Sequence, residues 1–358
     1  IRKKTFLYFC LLFIVQTAFA ADSLYVREQQ IPILIDRIDN VLYEMRIPAQ
    51  KGDVLNEITI QIGDNVNLSD IQAIRLFYSG VEAPSRKGEH FSPVTYISSH
   101  IPGNTRKALE SYSVRQDEVT APLSRTVKLT SKQPMLKGIN YFWVSIQMKP
   151  ETSLLAKVAT TMPNAQINNK PINITWKGKV DERHVGIGVR QAGDDGSAAF
   201  RIPGLVTTNN GTLLVFYDIR YNSSVDLQEK IDIGVSRSTD KGQTWEPMRV
   251  VMTFKQTDGL PHGQNGVGDP SILVDEKTNT IWVVAAWTHG MGNERAWWNS
   301  MPGMTPDETA QLMLVKSEDD GKTWSEPINI TSQVKDPSWY FLLQGPGRGI
   351  TMQDGTLV

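Results

Sequence analysis

Residues 238–245 read STDKGQTW, and residues 317–324 read SEDDGKTW. Both stretches fit the pattern S-x-D-x-G-x-T-W, and each precedes a Glu-Pro pair; we call them the first box and the second box. Ser and Asp side chains accept hydrogen bonds from the amides of a tight turn, and Gly adopts backbone conformations that other residues avoid. The repeat therefore predicts two rigid hairpin turns. In each, Trp packs under the turn, and Thr and Trp begin the returning strand.

Neither box requires a metal ion, because a calcium loop needs more oxygen ligands at closer spacing. His184, His262 and His289 do not have the spacing of a zinc site. The sequence also lacks a phosphate-binding loop and a Ser/His/Asp arrangement supported by a motif. We therefore predict neither a metal nor a cofactor.

The sequence around the boxes contains short apolar stretches separated by tight turns. They lie at residues 212–217, 231–235, 280–287 and 311–315. A repeated rhythm of strand, turn and strand is typical of β-propeller blades. From residue 198 onward, the sequence therefore predicts a second domain of this type.

The first half of the chain has a different pattern of short strands and polar turns. Apolar and polar residues alternate at 58–62, 141–147 and 172–176, which indicates half-buried strands. This pattern predicts an N-terminal β-sandwich over residues 21–180, with residues 179–196 as a linker. Its role stays open between sugar binding and service as a spacer or packing partner.

Residues 1–20 have the layout of a secretory signal peptide. A basic start is followed by an apolar run at 6–15 and by the small-x-small sequence Ala18-Phe19-Ala20. The run is too short to span a bilayer, so we expect a secreted or periplasmic protein without a membrane segment after cleavage. Cys10, the only cysteine, lies inside this segment. The formal net charge is −1 with scattered basic residues, which excludes a polybasic nucleic-acid surface.

The two boxes resemble the Asp box of the sialidase (neuraminidase) superfamily, which other β-propellers also carry. The neighbouring motifs make the resemblance specific. Residues 200–203 (FRIP) resemble the motif that opens the sialidase catalytic domain, and residues 268–271 (GDPS), 345–350 and 354–358 resemble further family segments. The resemblance covers residues 185–358. The N-terminal sandwich is similar to the accessory domain in front of some secreted bacterial sialidases.

The resemblance implies an all-β fold in which the sandwich is followed by a partial six-bladed β-propeller, with only the first blades within residues 185–358. It also implies an exo-α-sialidase that removes terminal sialic acids from glycoproteins, glycolipids and oligosaccharides with retention of configuration. We expect a monomer. A non-catalytic, carbohydrate-binding Asp-box propeller and a trans-sialidase are the alternatives.

Four residues match the family's site residues. Arg201 matches the first of three arginines that clamp the sialic acid carboxylate, since a guanidinium can hold a carboxylate with two parallel N–H groups. Asp226 matches the general acid/base, whose environment should raise its pKa. Arg220 and Asp269 match residues that bind the hydroxyl at carbon 4.

Three of these four assignments have an alternative. Arg201 could form a structural salt bridge, and Asp226 could be a solvated loop residue, with Asp218 and Asp232 as rivals for the acid. Asp269 precedes a proline and could simply initiate a turn.

In the family, the tyrosine nucleophile, its glutamate base and two more arginines follow the strand that 354–358 resembles. The sequence stops there, so we expect this chain alone to be inactive and poorly stable, with open sheet edges. The stretch 290–306 is an insertion containing Trp297, Trp298 and several methionines. It could line a substrate pocket or pack against a neighbouring blade.

Overall fold

The protein is described by a computed structural model and is all-β, as predicted, with only two one-turn α-helices among its described residues. The described residues are 23–28, 30–81, 113–177, 182–292 and 295–358. The predicted signal peptide and Cys10 lie outside them. No helix in these ranges is both long and apolar enough to cross a membrane.

The first half of the chain forms a sandwich of two main sheets. In chain order its strands are β1 (Ser23–Glu28), β2 (Ile33–Leu34), β3 (Asn40–Ala49), β4 (Leu55–Ile62), β5 (Ile71–Val81), β6 (Val114–Thr120), β7 (Thr126–Thr130), β8 (Gly138–Met148), β9 (Lys157–Val158), β10 (Thr160–Ile167), β11 (Lys170–Pro171), β12 (Asn173–Lys177) and β13 (Arg183–Gly186). The larger sheet has the order β12-β1-β3-β8-β5-β6, and the smaller has β11-β10-β4-β7. The predicted strands at 58–62, 141–147 and 172–176 coincide with β4, β8 and β12.

One apolar core fills the space between these two sheets. Alternate residues such as Leu24 and Met45 of the larger sheet meet Ile58, Ile60 and Leu129 of the smaller sheet, and all are fully buried. Because strand residues alternate between faces, the intervening residues of the larger sheet point to its other side. The larger sheet therefore has an outer face with a separate set of side chains.

The prediction of a linker over residues 179–196 is partly wrong, because this segment contains strand β13. This strand pairs with β2 and β9 in a small third sheet at the end of the sandwich. Backbone pairing between segments distant in sequence has no local signature, so the pattern of residues 179–196 did not reveal it.

The second half contains two successive sheets, the first of four strands and the second of five. Its strands are β14 (Ala199–Thr207), β15 (Leu213–Arg220), β16 (Ile231–Ser238), β17 (Arg249–Met252), β18 (Val267–Val274), β19 (Ile281–Trp287), β20 (Gln311–Ser317), β21 (Ile328–Asn329) and β22 (Gly347–Arg348), with helices α1 (Ala296–Asn299) and α2 (Thr331–Val334). Strands β14 to β17 form the first sheet in sequential order, and β18 to β21 form the second. Strand β22 adds to the second sheet by pairing in parallel with β18. Both sheets have the form of propeller blades, and a shared core that includes Phe216, Val235, Ile272 and Val283 lies between them.

Each box closes the turn at the end of the third strand of its sheet. In the first box, Asp240 accepts hydrogen bonds from the amide and hydroxyl of Thr244 at 2.9 and 2.6 Å. The Ser238 hydroxyl accepts from the Gly242 amide at 2.9 Å, and Trp245 donates to the Gly242 carbonyl at 3.1 Å. The hydrogen bonds from Thr244 and Ser238 lower the pKa of Asp240 to about 2. The predicted turn is confirmed.

In the second box, Ser317 accepts from the Gly321 amide at 2.9 Å, and Asp319 accepts from the amide and hydroxyl of Thr323 at 2.8 and 2.6 Å. Trp324 Nε1 has no hydrogen-bond partner, unlike Trp245 Nε1 of the first box. One detail of the prediction is wrong in both boxes. The returning strands begin at Arg249 and Ile328, beyond Thr and Trp, because the Glu-Pro pair intervenes before ladder pairing resumes.

Candidate active site

Two matching irregularities position the first candidate residues. Strand β14 has a bulge between Arg201 and Gly204, and β18 has one between Gly268 and Ser271. In each, a residue with a positive φ angle precedes a proline: Ile202 at 55° and Asp269 at 59°. A bulge re-aims a side chain, and proline is tolerated there because a ladder hydrogen bond is already missing. The FRIP and GDPS motifs are thus the same backbone feature on two successive sheets.

Arg220, at the end of β15, is the buried centre of the site. Its side chain is only 2% exposed, and it donates to Asp218 Oδ2 from Nη2 at 2.7 Å and from Nε at 3.2 Å. The two residues share a face of the strand because they are two positions apart. Asp218 also accepts from the backbone N–H of Asp269 at 2.9 Å, through Oδ1. One carboxylate therefore ties the arginine of the first sheet to the bulge of the second.

Asp226 lies in the loop that follows Arg220, and two arginines converge on it. Its Oδ1 accepts from Arg220 Nη1 at 2.6 Å and from Arg201 Nη1 at 2.8 Å. The Ser224 carbonyl accepts from the same two guanidinium groups at 2.9 and 3.0 Å. Side chains from β14, from β15 and from the loop after β15 thus meet at one point, and Arg201 and Asp226 are 42% and 40% exposed there.

The electrostatics of Asp226 differ from the expectation for a resting general acid. Partial burial raises its pKa, but the hydrogen bond and charge of Arg220, with the charges of Arg201 and Arg295, lower the pKa overall. The sequence predicted a raised value. The difference arises because the carboxylate lies directly between two guanidinium groups.

The two carboxylates behind Asp226 behave in the opposite way. Burial raises the pKa of Asp218 to about 7, although the charge and hydrogen bonds of Arg220 oppose the shift. Burial also raises the pKa of Asp269, with Arg220 opposing the shift and Asp226 adding to it. Burial lowers the pKa of Arg220, but its Asp218 and Asp226 partners raise it overall, so the guanidinium stays charged.

Asp232, the other rival for the acid, lies in a separate network. It is buried, accepts from the Tyr221 hydroxyl at 3.0 Å and lies 2.8 Å from His262 Nε2. This network anchors the start of the Asp226 loop against the turn at His262–Gln264. Asp232 therefore contributes to the local structure and does not contact the converging arginines.

Sequence reasoning missed Arg295, which the insertion brings to the site. Its Nη1 lies 3.5 Å from the Asp226 carbonyl oxygen, and its charge acts on the Asp226 carboxylate. Beside the loop, an open cavity of about 730 Å³ is lined by Arg295, Val225 and Trp298 among others. Trp298 is 67% exposed, so it lines a cavity rather than filling a core. The aromatic insertion was the only signal in the sequence that pointed here.

No cluster of three or more His, Cys, Asp or Glu residues with metal-binding geometry occurs in the part of the chain that the structure describes. The groups at the site are three guanidinium groups, one bridged carboxylate, the buried carboxyl group of Asp218 and the half-buried carboxyl group of Asp269. Such a set can bind an anion, orient hydroxyl groups and exchange a proton.

Blade-like sheets with box turns, and arginines converging at the bulges of their inner strands, define a protein of the BNR-repeat class. Comparisons with known families agree with this class. Residues 21–171 match the family described as the N-terminal domain of BNR-repeat neuraminidase, and residues 202–358 match the BNR repeat-like domain. The chain belongs to the BNR-repeat neuraminidase (sialidase) family.

The relatives support this membership along nearly the whole chain. A sialidase of Bacteroides fragilis is 60% identical over 353 residues, which are 98% of this chain and 64% of the relative. The solved structure of Hadza microbial sialidase Hz136 is 62% identical with a TM-score of 0.84, and the match covers 93% of this chain and 64% of that one. A sialidase of Paraclostridium sordellii is 37% identical over 167 residues, which are 44% of this chain and 38% of that protein. The chain thus spans less than two thirds of the length of these relatives.

Proposed function

We propose that the protein is an exo-α-sialidase that hydrolyses terminal sialic acids of glycoconjugates with retention of configuration. One observation supports this most directly. Two guanidinium groups, from Arg201 and Arg220, hold a single carboxylate oxygen at 2.8 and 2.6 Å at the open surface of the site. A place that holds one carboxylate between arginines has the chemistry needed to receive the carboxylate of sialic acid.

In this proposal, Arg201 binds the substrate carboxylate in exchange for its ion pair with Asp226. Arg201 is well suited to such an exchange, because its side chain is 42% exposed and its bond to Asp226 is solvent-screened. Arg220 and Asp269 lie deeper and are assigned to a hydroxyl group of the sugar. Asp218 holds both of them through its two oxygens.

The exchange would also prepare Asp226 to act as an acid. When the substrate carboxylate binds Arg201, it partly neutralises the positive charge that acts on Asp226. It also places a negative charge near Asp226. Both changes raise the pKa of a carboxyl group. Asp226 can then donate a proton to the leaving oxygen and later accept one from water.

The remaining parts of the proposal come from the family resemblance. The tyrosine nucleophile, its glutamate base and two further arginines are assigned to the family segment that follows residues 354–358. The complete domain would be a six-bladed propeller. We further propose export through residues 1–20 to the periplasm or the medium, sialylated glycans as partners, and a monomeric state.

The experiment that tests this function is hydrolysis of a fluorogenic α-sialoside by the natural full-length protein. We expect turnover in the wild type and a loss of about 100-fold or more in kcat/KM for Arg201→Met, since a bidentate ion pair to the substrate is removed. Lys170→Met, at an exposed strand of the sandwich, is the control and should leave turnover unchanged.

The same preparation separates the alternatives. Addition of lactose as an acceptor, with product analysis, distinguishes a hydrolase that yields free sialic acid from a trans-sialidase that yields sialyllactose. Binding of the sialoside without turnover would contradict the proposal and favour a carbohydrate-binding propeller.

A further inference from the structure

The outer face of the larger sandwich sheet carries a second cluster of polar residues, far in sequence from the candidate active site. The strand register places these residues in two adjacent rows. Tyr25 pairs with Arg46 on β3 and with Thr175 on β12, and Arg27 pairs with Glu44 and with Lys177. Because residues two apart on a strand share a face, the two rows lie side by side.

A cavity of about 300 Å³ opens over these rows. Its floor and walls come from three central strands and the edge strand β12. Among its lining residues are Tyr25, Arg27, Glu44, Arg46, Ile139 and Lys177.

Glu44 is the unusual member of this cavity, because its carboxylate is buried with one oxygen unpaired. The side chain is fully buried, and Oε1 accepts from Arg46 Nε at 2.6 Å. Oε2 has no hydrogen-bond partner, and Arg27 approaches it only to 3.8 Å. Leaving a buried carboxylate oxygen without a hydrogen bond is unfavourable, because the oxygen has lost its contact with water and gained no donor. A ligand with a hydroxyl donor would satisfy this oxygen.

The remaining lining has two further properties. The basic residues Arg27, Arg46 and Lys177 outnumber the single carboxylate of Glu44, so the cavity has a surplus of positive charge. Tyr25 and Ile139 are 48% and 43% exposed, and both offer apolar surface at the opening. Few polar groups set within apolar walls are typical of a small-molecule site.

We propose that this cavity, the β1–β3 sugar site, binds one anionic sugar unit of a glycan. A pyranose ring supplies a hydroxyl donor for Glu44 Oε2 and an apolar C–H face for Tyr25 and Ile139. A carboxylate or sulfate on the same ring would form ion pairs with Arg27 and Lys177. The volume is at the small end of ligand pockets, which fits a single ring rather than a longer chain.

The site would hold the protein on an anionic glycan while the propeller acts elsewhere. It does not depend on the proposed hydrolysis, because none of its residues belongs to the arginine cluster of the candidate active site. Failure of either proposal therefore leaves the other standing.

The test is titration of the natural full-length protein with three probes, followed by calorimetry or saturation-transfer NMR. Glucuronate carries both the ring and the charge, glucose carries only the ring, and acetate carries only the charge. We expect glucuronate to bind about tenfold or more tightly than either of the others, because only it engages both the carboxylate of Glu44 and the basic residues.

Three variants locate the binding. Tyr25→Ala, Lys177→Ser and Glu44→Gln should each weaken glucuronate binding by about fivefold or more. Lys170→Ser, on an edge strand of the other main sheet, is the matched control and should have no effect. Tyr25 is half exposed, so its variant keeps the core intact if Glu44→Gln fails to fold.

Several results would overturn the site. Equal affinity for glucose and glucuronate would show that the anionic group is not recognised. Equal affinity for acetate and glucuronate would show that the sugar ring is not recognised. Absence of glucuronate binding, or binding that neither Tyr25→Ala nor Lys177→Ser weakens, would reject this location.

Discussion

At the scale of single residues, the candidate site contains two ion pairs of different character. The Arg220–Asp218 pair is almost completely buried, so removal of one partner leaves a buried charge uncompensated. The Arg201–Asp226 pair is open to solvent and contributes little to stability. The first pair is therefore suited to hold geometry, and the second is suited to exchange partners with a substrate.

The exchangeable pair leads to a prediction for Asp226→Asn in the natural full-length protein. We expect kcat for a natural sialoside, whose leaving group must be protonated, to fall by about 100-fold to 10,000-fold. An aryl sialoside with a good leaving group should lose much less, because it does not need the acid. Steady-state kinetics on both substrates measure the difference, and Asp64→Asn at an exposed turn is the control. Equal losses on both substrates would contradict an acid role.

The buried pair leads to a prediction about pH. Asp218 has a pKa of about 7 in the folded protein, above its ordinary value, so between about pH 4 and pH 7 the folded state holds a proton that the unfolded state releases. Its contribution to the free energy of unfolding therefore falls as the pH rises through this window. Asp218→Asn should remove that part of the pH dependence.

Denaturant unfolding at about pH 5 and about pH 7.5 checks this prediction. Wild type should lose more stability between the two pH values than Asp218→Asn does. Parallel losses in the two proteins would show that Asp218 has an ordinary pKa.

At the scale of secondary-structure elements, the second box joins one sheet to the next. Asp320 accepts from the hydroxyls of Thr208 and Thr212, in the turn between β14 and β15, at 2.6 Å each. It also accepts from Arg237 Nη2, on β16, at 2.8 Å. The first box has Lys241 at the same turn position, with a φ angle of 63° against 64° for Asp320. Both boxes form the same turn, but only this position in the second also fastens neighbouring sheets.

We therefore expect Asp320→Ala to lower the free energy of unfolding by about 2 kcal/mol, because three hydrogen bonds are lost and Arg237 loses a partner. Lys241→Ala is the matched control, since it also places alanine at a position with a left-handed backbone conformation. Chemical denaturation of both variants measures the effect. Similar losses in the two variants would assign the cost to the turn rather than to the contact between sheets.

At the scale of the whole molecule, the segment at 187–196 fastens the sandwich to the first blade-like sheet. Gln191 Nε2 donates to Asp36 Oδ2 at 2.6 Å on the sandwich side. Arg190 donates to the Tyr217 hydroxyl at 3.2 Å and to the Glu246 carbonyl at 3.1 Å on the other side. Two consecutive side chains of the segment that was predicted as a linker thus bind the sandwich and the first blade-like sheet.

We expect Asp36→Ala to increase cleavage within 187–196 by about fivefold or more in limited proteolysis, because local opening of the segment becomes easier. Mass spectrometry of the fragments identifies the cut. Asp64→Asn should digest at the wild-type rate. An unchanged rate for Asp36→Ala would mean that other contacts hold the segment.

The sequence alone was sufficient wherever the physics is local. Alternation revealed the strands, and the box turns could be predicted because Asp240 and Asp319 bond amides and hydroxyls only four residues away. The FRIP and GDPS motifs likewise identified Arg201 and Asp269 as candidate site residues from their immediate neighbours in the chain.

Contacts between distant residues decided the rest. Asp218 bonds the amide of Asp269, 51 positions away, and Arg295 reaches Asp226 across 69 positions. Such distances have no period or spacing that a sequence displays. Burial, the largest cause of the raised pKa of Asp218, is likewise set by tertiary packing. The amino-acid sequence determined the elements and the family of this protein, whereas tertiary packing decided which charges share a site, since electrostatic interactions depend on distance and burial rather than on order along the chain.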